Sequence, residues 1–179
     1  MPRHNLLPKE IAMKPARTAA LALLLLLTVS LALAADKPSV GKPSNKADSW
    51  RFEQHENGKG TMKIDGDAAV FETTTTGAED WHVQANMPGL DLKEGKEYEV
   101  AFKARGEPAR TVRLAANIDQ DDWHPIGLGE DVELTKDWKD YKFTFKAENV
   151  ATDKKNRVGF VLGSEKGTLM VKDFTITEK

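Results

Sequence analysis

Two short stretches carry the residue types most able to do chemistry. GAEDWHVQA places Glu79 and Asp80 before Trp81 and His82, and DQDDWHPIG places Asp121 and Asp122 before Trp123 and His124. Carboxylates beside imidazoles suggest a metal site. However, His82 and His124 have no second histidine at ligand spacing, and Asp119, Asp121 and Asp122 lack both a full calcium-loop spacing and a distal bidentate glutamate. No metal and no cofactor are expected. The tryptophans are more informative, because large aromatics normally pack inside and these two sit in polar, acidic settings. Trp123, in the looped stretch Asp119-Gln120-Asp121-Asp122 before Pro125, reads as an exposed indole plate. Such a plate stacks against the C–H face of a pyranose ring. Trp50 and Trp138 read as core or edge residues.

The elements that must hold these plates have a period of two. Tyr98, Val100, Phe102 and Ala104 alternate with Glu97, Glu99, Ala101 and Lys103. Val112, Leu114, Ala116 and Ile118 alternate with Arg113, Ala115 and Asn117. The same holds for Tyr141, Phe143 and Phe145, and for Val158, Phe160 and Leu162. Each reads as a strand with one face in a core. Weaker patterns near Trp50–Gln54, Thr61–Asp65, Ala68–Thr74, Trp81–Met87, Gly129–Thr135 and Leu169–Thr177 bring the total to nine or ten. No convincing helix follows Ser49. The expected fold is all-β: a two-sheet antiparallel β-sandwich. Leu169 and Val171 have one parity, Phe174 and Ile176 the other, so a bulge near Lys172-Asp173 is required if all four are buried.

Composition sets the limits. Residues 1–34 read as a signal peptide, with Lys14 and Arg17 before the apolar run Thr18–Leu33, Ala32-Leu33-Ala34 at the cleavage site, and Met13 as the expected initiator. Residues 35–47, rich in Pro, Ser, Lys and Gly, read as a flexible linker, and 48–179 as the folded module. Setting aside Arg3, Lys9, Lys14, Arg17 and Glu10 leaves 22 basic against 27 acidic residues, a net charge of −5. That balance argues against nucleic acid and anionic membrane as partners. The chain contains no cysteine, hence no disulfide and no thiol nucleophile. A secreted or periplasmic monomer, not inserted in the membrane once the signal is removed, is expected.

Three strands have unusual water-facing sides. Outward positions are His82, Gln84 and Asn86 in one, Arg113, Ala115 and Asn117 in the second, and Arg157, Gly159 and Val161 in the third. If these strands are neighbours, Ala115 and Gly159 make a trough rimmed by amides, an imidazole and guanidinium groups, whose paired donors and acceptors suit vicinal hydroxyls. Parity sends Trp81 inward with Val83, unless the strand begins after it, in which case Trp81 is a second plate.

The stretches DWHVQANMPGLDLKEGKEYEVAFKARG, RTVRLAANIDQDDWHPI, VELTKDWKDYKFTF and RVGFVLGSEKGTLMVKDFTIT, in this order, resemble the carbohydrate-binding modules of families 4, 9 and 22, accessory domains of cellulases and xylanases. The resemblance covers about Ser49 to Glu178. It implies a β-jelly roll whose concave sheet binds a glycan, of plant β-glucan or xylan class, without catalysis. It also implies cleft residues at or near Trp81, Asn86, Arg113 and Trp123. Two departures stand out. Arg157 and Val161 occupy positions where related modules often have glutamines, and Lys172 stands where many members have the first carboxylate of a calcium site, so that site is expected to be lost.

The candidate binding set is therefore Trp81, His82, Gln84, Asn86, Arg113, Asn117, Trp123 and Arg157, with no catalytic residue. Mature serines Ser39, Ser44, Ser49 and Ser164 have no nucleophile-elbow context, and a second domain for chemistry is not evident. The rival reading is a structural or protein-interaction sandwich that kept the fold and lost the ligand, to which Arg157 and Val161 point. A small hydrolase built on two carboxylates is the third.

Overall fold

The computed structural model describes Met1 and residues 38–179, so the expected signal peptide lies outside the described residues. Ten strands form: β1 (Arg51–Gln54), β2 (Lys59–Asp65), β3 (Ala68–Thr75), β4 (Val83–Leu90), β5 (Glu97–Glu107), β6 (Arg110–Ile118), β7 (Pro125–Leu134), β8 (Lys139–Lys146), β9 (Asn156–Val161) and β10 (Gly167–Glu178). They make two five-stranded antiparallel sheets, β1-β4-β9-β6-β7 and β2-β3-β10-β5-β8. This is the β-sandwich the alternation predicts.

The inward parity of every strong strand fills the space between the sheets. Tyr98, Val100, Phe102 and Ala104 of β5 face Val112, Leu114, Ala116 of β6 and Val158 and Phe160 of β9, all buried. At the centre is an aromatic cluster, several of its pairs in the edge-on arrangement that ring quadrupoles favour and Phe102 and Phe174 stacked. Trp50 meets Phe71 edge-on at 5.1 Å and Phe174 at 5.2 Å, while Phe160 meets Phe102 edge-on at 5.3 Å. The expected bulge is present. The register of β10 against β5 jumps between Lys172 and Thr175, and Asp173 lies in the left-handed region at φ 54°. The extra residue shifts the phase, and Leu169, Val171, Phe174 and Ile176 all become buried.

The stretch expected to be a tether is docked from Ser39 onward. Past Val171, β10 pairs only with β5, which leaves one edge of its second half free. The hydroxyls of Ser39 and Ser44 accept the backbone N–H groups of Ile176 and Phe174, at 3.0 and 3.1 Å, and Val40 N–H donates to Ile176 O at 2.7 Å. Trp50 Nε1 donates to Ser44 O at 2.8 Å. The segment thus covers a strand edge that would otherwise present unpaired backbone groups. Trp138 does not enter the core. It is exposed, with the guanidinium of Arg105 and the ammonium of Lys172 both over its ring, the latter also paired with Asp67 at 3.3 Å.

Candidate functional site

The three strands singled out for their hydrophilic faces are adjacent, as β4-β9-β6. Their register sorts the outward side chains into three rows that cross the strands. The first runs Glu53, Gln84, Val161, Arg113, Asp131 from β1 to β7; the second runs Arg51, Asn86, Gly159, Ala115, Gly129; the third runs Arg157, Asn117, Pro125. Successive rows lie roughly 7 Å apart, since strand residues two apart share a face. Small residues fill much of the middle row, so the surface sinks along it. The result is a cleft of about 560 Å³, lined by Glu53, Gln84, Val161 and Arg113 on one side and Arg157 and Asn117 on the other, with Ala115 in its floor. A shallower hollow of about 440 Å³ shares Arg113, Ala115 and Asn117 and continues the groove over Pro125, Gly127 and Gly129 of β7.

An indole stands at each lip. Strand β4 begins at Val83, and Asp80–His82 form a single 3-10 turn, so Trp81 escapes strand parity and is 45% exposed. Gln84 Nε2 donates to Trp81 O at 2.8 Å. His82 is a correction. Its ring turns away from the groove, buried over Gly77, where a Cβ would overlap the imidazole, and it meets Trp81 edge-on at 4.3 Å. His82 therefore buttresses the plate from behind. His55, which the sequence reading missed along with Glu53 and Asp80, lines the groove 5.4 Å from the Trp81 ring.

Trp123 is 48% exposed, as expected, and one ring face covers the Arg157 guanidinium at 4.8 Å. Arg157 does line the cleft, yet its Nη1 donates to Glu53 Oε2 at 2.8 Å and its side chain is only 8% exposed. Burial pulls its pKa below the usual guanidinium value, an effect opposed by the Glu53 and Asp119 carboxylates. Asn86 also departs from expectation. It is buried under this layer and donates from Nδ2 to Glu53 Oε2 at 2.6 Å, so it supports the site and does not face it. Arg51 completes the network through Glu53 and a two-pronged pair with Asp119, with Nη1 donating to Asp119 Oδ2 at 2.9 Å. Outward parity found Asn86 and Arg157 but could not reveal that a carboxylate on β1 would bind both.

The loop carrying Trp123 holds an uncommon backbone. Asp122 and Trp123 lie consecutively in the left-handed region, at φ 70° and 51°, a conformation that side chains other than glycine seldom adopt. Asn117 Nδ2 donates to Trp123 O at 2.9 Å, and the His124 ring bridges Asp122 Oδ1 at 2.7 Å from Nδ1 and Asn149 O at 2.8 Å from Nε2. Two acceptors are satisfied together only by an imidazolium, which donates from both nitrogens. Accordingly the Asn149 carbonyl, and then Asp122, raise the His124 pKa, while the ring and backbone hydrogen bonds from His124 lower that of Asp122. A raised histidine stabilises below its unfolded pKa and loses that contribution as pH rises through the folded value. A lowered carboxylate stabilises above its unfolded pKa and loses it as pH falls through the folded value. The loop is held between those limits. The Trp123 indole NMR signal is expected to titrate with a midpoint above the ordinary histidine value, and His124→Gln to remove that titration.

Among the described residues no three His, Asp or Glu side chains are grouped as a metal site. Within the aspartate run Asp119 pairs with Arg51 and Asp122 with His124.

The family model of a carbohydrate binding domain matches residues 43–167. Solved structures with the same fold include a CBM4 domain (24% identity, TM-score 0.65, covering 80% of this chain and 96% of that one). Another is the N-terminal cellulose-binding domain of β-1,4-glucanase C from Cellulomonas fimi (18% identity, TM-score 0.61, 81% and 98%). A third is the N-terminal xylanase 10B of Clostridium thermocellum complexed with xylohexaose (15% identity, TM-score 0.54, 81% of this chain and 29% of that one). Comparison with curated sequences returns no match. The family match spans well over half of the chain and coincides with the strands that build the groove, so this chain belongs to the carbohydrate-binding domains, as a saccharide-binding module and not an enzyme.

Proposed function

We propose that the groove across β4, β9, β6 and β7 is where this module binds a poly- or oligosaccharide, with sugar rings stacking on Trp81 and Trp123. Gln84 and Asn117 hydrogen-bond the hydroxyls and Arg113 borders the same groove, while Arg157, Asn86 and His82 hold the surface in shape. The observation that carries this reading is the pair of half-exposed indoles flanking one polar-walled cleft of about 560 Å³. Indoles fixed by an imidazole edge on one side and a buried guanidinium on the other are already ordered. Stacking on them therefore costs little side-chain entropy.

Chains of the β-glucan or xylan class are the proposed ligands, in keeping with the cellulose-binding domain and the xylohexaose complex among the similar structures. The proposed setting is the periplasm or the cell exterior, with residues 1–34 as the export signal and 48–179 as the binding module.

Trp123→Ala is expected to weaken binding to soluble β-glucan or xylan at least tenfold in affinity electrophoresis, with the melting temperature nearly unchanged. Removing one exposed indole forfeits roughly 1 kcal/mol of cation–π contact with Arg157, a small part of the stability of a domain this size. Unchanged binding to every glycan that wild type retains would refute the reading.

A further inference from the structure

We propose that the preferred saccharide has a neutral main chain carrying sparse carboxylate-bearing branches, uronic acids, and that Arg113 selects them. This rests on the saccharide reading of the groove given above.

Three guanidinium groups stand at or beside the groove, and two are already engaged. Arg51 is held by Asp119 and Glu53, and Arg157 by Glu53 and Trp123. Arg113 differs. Its side chain is 52% exposed, it makes no hydrogen bond to any described residue, and its nearest carboxylate is Asp131 at 3.9 Å, itself 70% exposed on the rim. The guanidinium lies over Gly129, where a Cβ would come within 2.8 Å of Nη2, so the β7 backbone leaves it room to lie flat. It also sits where the main cleft meets the hollow over β7. The groove therefore has a permanently charged fork of donors that makes no hydrogen bond to a described residue, lying at its β7 end.

Hydroxyls alone do not call for that group, because the amides of Gln84 and Asn117 already serve them. A planar fork matches a carboxylate, and the charge-assisted pair is stronger than an amide–hydroxyl bond. The other charges determine how much anion the groove tolerates. Glu53 is neutralised by Arg157 and Arg51 and also accepts from the Asn86 amide, but Asp80 lines the Trp81 side with no ion pair among the described residues. A carboxylate is thus favoured on the Arg113 side and opposed on the Asp80 side. The net charge of −5 over residues 35–179 further opposes a polymer charged at every unit. Together these select a neutral main chain with an occasional acid, and the hollow of about 440 Å³ beside Arg113 gives a branch its space.

The test uses the full chain and a glycan array of linear β-1,4-linked gluco- and xylo-oligosaccharides. Each is presented in three forms: unbranched, with one glucuronic acid branch, and with that branch carboxyl-reduced to the neutral sugar. The acid form is expected to bind about tenfold more tightly than its reduced partner, with the ratio shrinking at high salt. Arg113→Gln is expected to bring the ratio to about one, and Arg113→Lys to retain part of it. Equal binding of acid and reduced forms by wild type, or a ratio that survives Arg113→Gln, would overturn the assignment while leaving the saccharide groove intact. Binding of no member, neutral or acidic, would overturn the groove reading and this inference with it.

Discussion

Replacing Glu53 by alanine should destabilise the domain by about 3 kcal/mol and, at temperatures where it stays folded, abolish tight glycan binding. Glu53 Oε2 receives Arg157 Nη1 at 2.8 Å and Asn86 Nδ2 at 2.6 Å, and Oε1 faces Arg51 Nε at 3.3 Å. Without it the Arg157 guanidinium, with an Nε already lacking a partner, stays buried and unpaired. Breaking a buried pair by removing one member costs roughly 3–5 kcal/mol. The low end applies because Glu53 keeps 17% of its side chain in water. For a domain of this size that is a drop of roughly 10 °C in melting temperature. Without Glu53 to fix its position, the Arg157 guanidinium no longer holds the Trp123 ring in one place, so binding falls beyond the stability loss. Glu53→Gln, which keeps one acceptor oxygen, should recover part of both. Scanning calorimetry and affinity electrophoresis on the two variants check this, and a melting temperature within about 2–3 °C of wild type for the alanine variant, a loss below about 1 kcal/mol, would disprove the keystone role.

The contrast between Glu53 and Trp123 shows what the sequence makes legible. Alternation over 98–104, 112–118 and 158–162 marks strands because burying one face of a sheet imposes period two, and the slip at Lys172-Asp173 marks a bulge for the same reason. The exposure of Trp123 follows from its place directly after Asp121 and Asp122, which stay in water. Depth within a face is another matter. Asn86 and Arg157 do point outward, but the carboxylate that draws them together lies on β1, far off in sequence, and only cross-strand register brings it within reach. His82 and Trp81 exchange places because a 3-10 turn rotates successive side chains by about 120°, so parity carried back past Val83 fails. Ser39 and Ser44 were unreadable for a third reason: hydroxyl bonds to a strand edge have no periodicity and need little apolar surface.

The same reasoning sets the sign of a substitution in the groove floor. Gly159 lies in the middle row between Asn86 and Ala115. By local preference alone a β-branched residue in a strand interior should be favourable by up to about 1 kcal/mol. Packing opposes this more strongly. A Cβ at Gly159 would overlap the carbonyl oxygen of Ala85 and lie 2.6 Å from both Cα and Oδ1 of Asn86. Most of those atoms are backbone of β4, and β4 cannot retreat, because Ala85 and Met87 on its inner face are wholly buried against the core. Asn86 cannot swing aside without releasing Glu53. Overpacking of this kind costs roughly 1–3 kcal/mol for a single group and more when backbone must part. Gly159→Val is therefore expected to lose at least about 3 kcal/mol, with Gly159→Ala intermediate, and both to raise the floor between the indoles and weaken glycan binding more than tenfold. Urea unfolding gives the stability order, and a valine variant as stable as wild type would mean that β4 and β9 yield at this point, so that the narrowness of the groove is not built into the sheet.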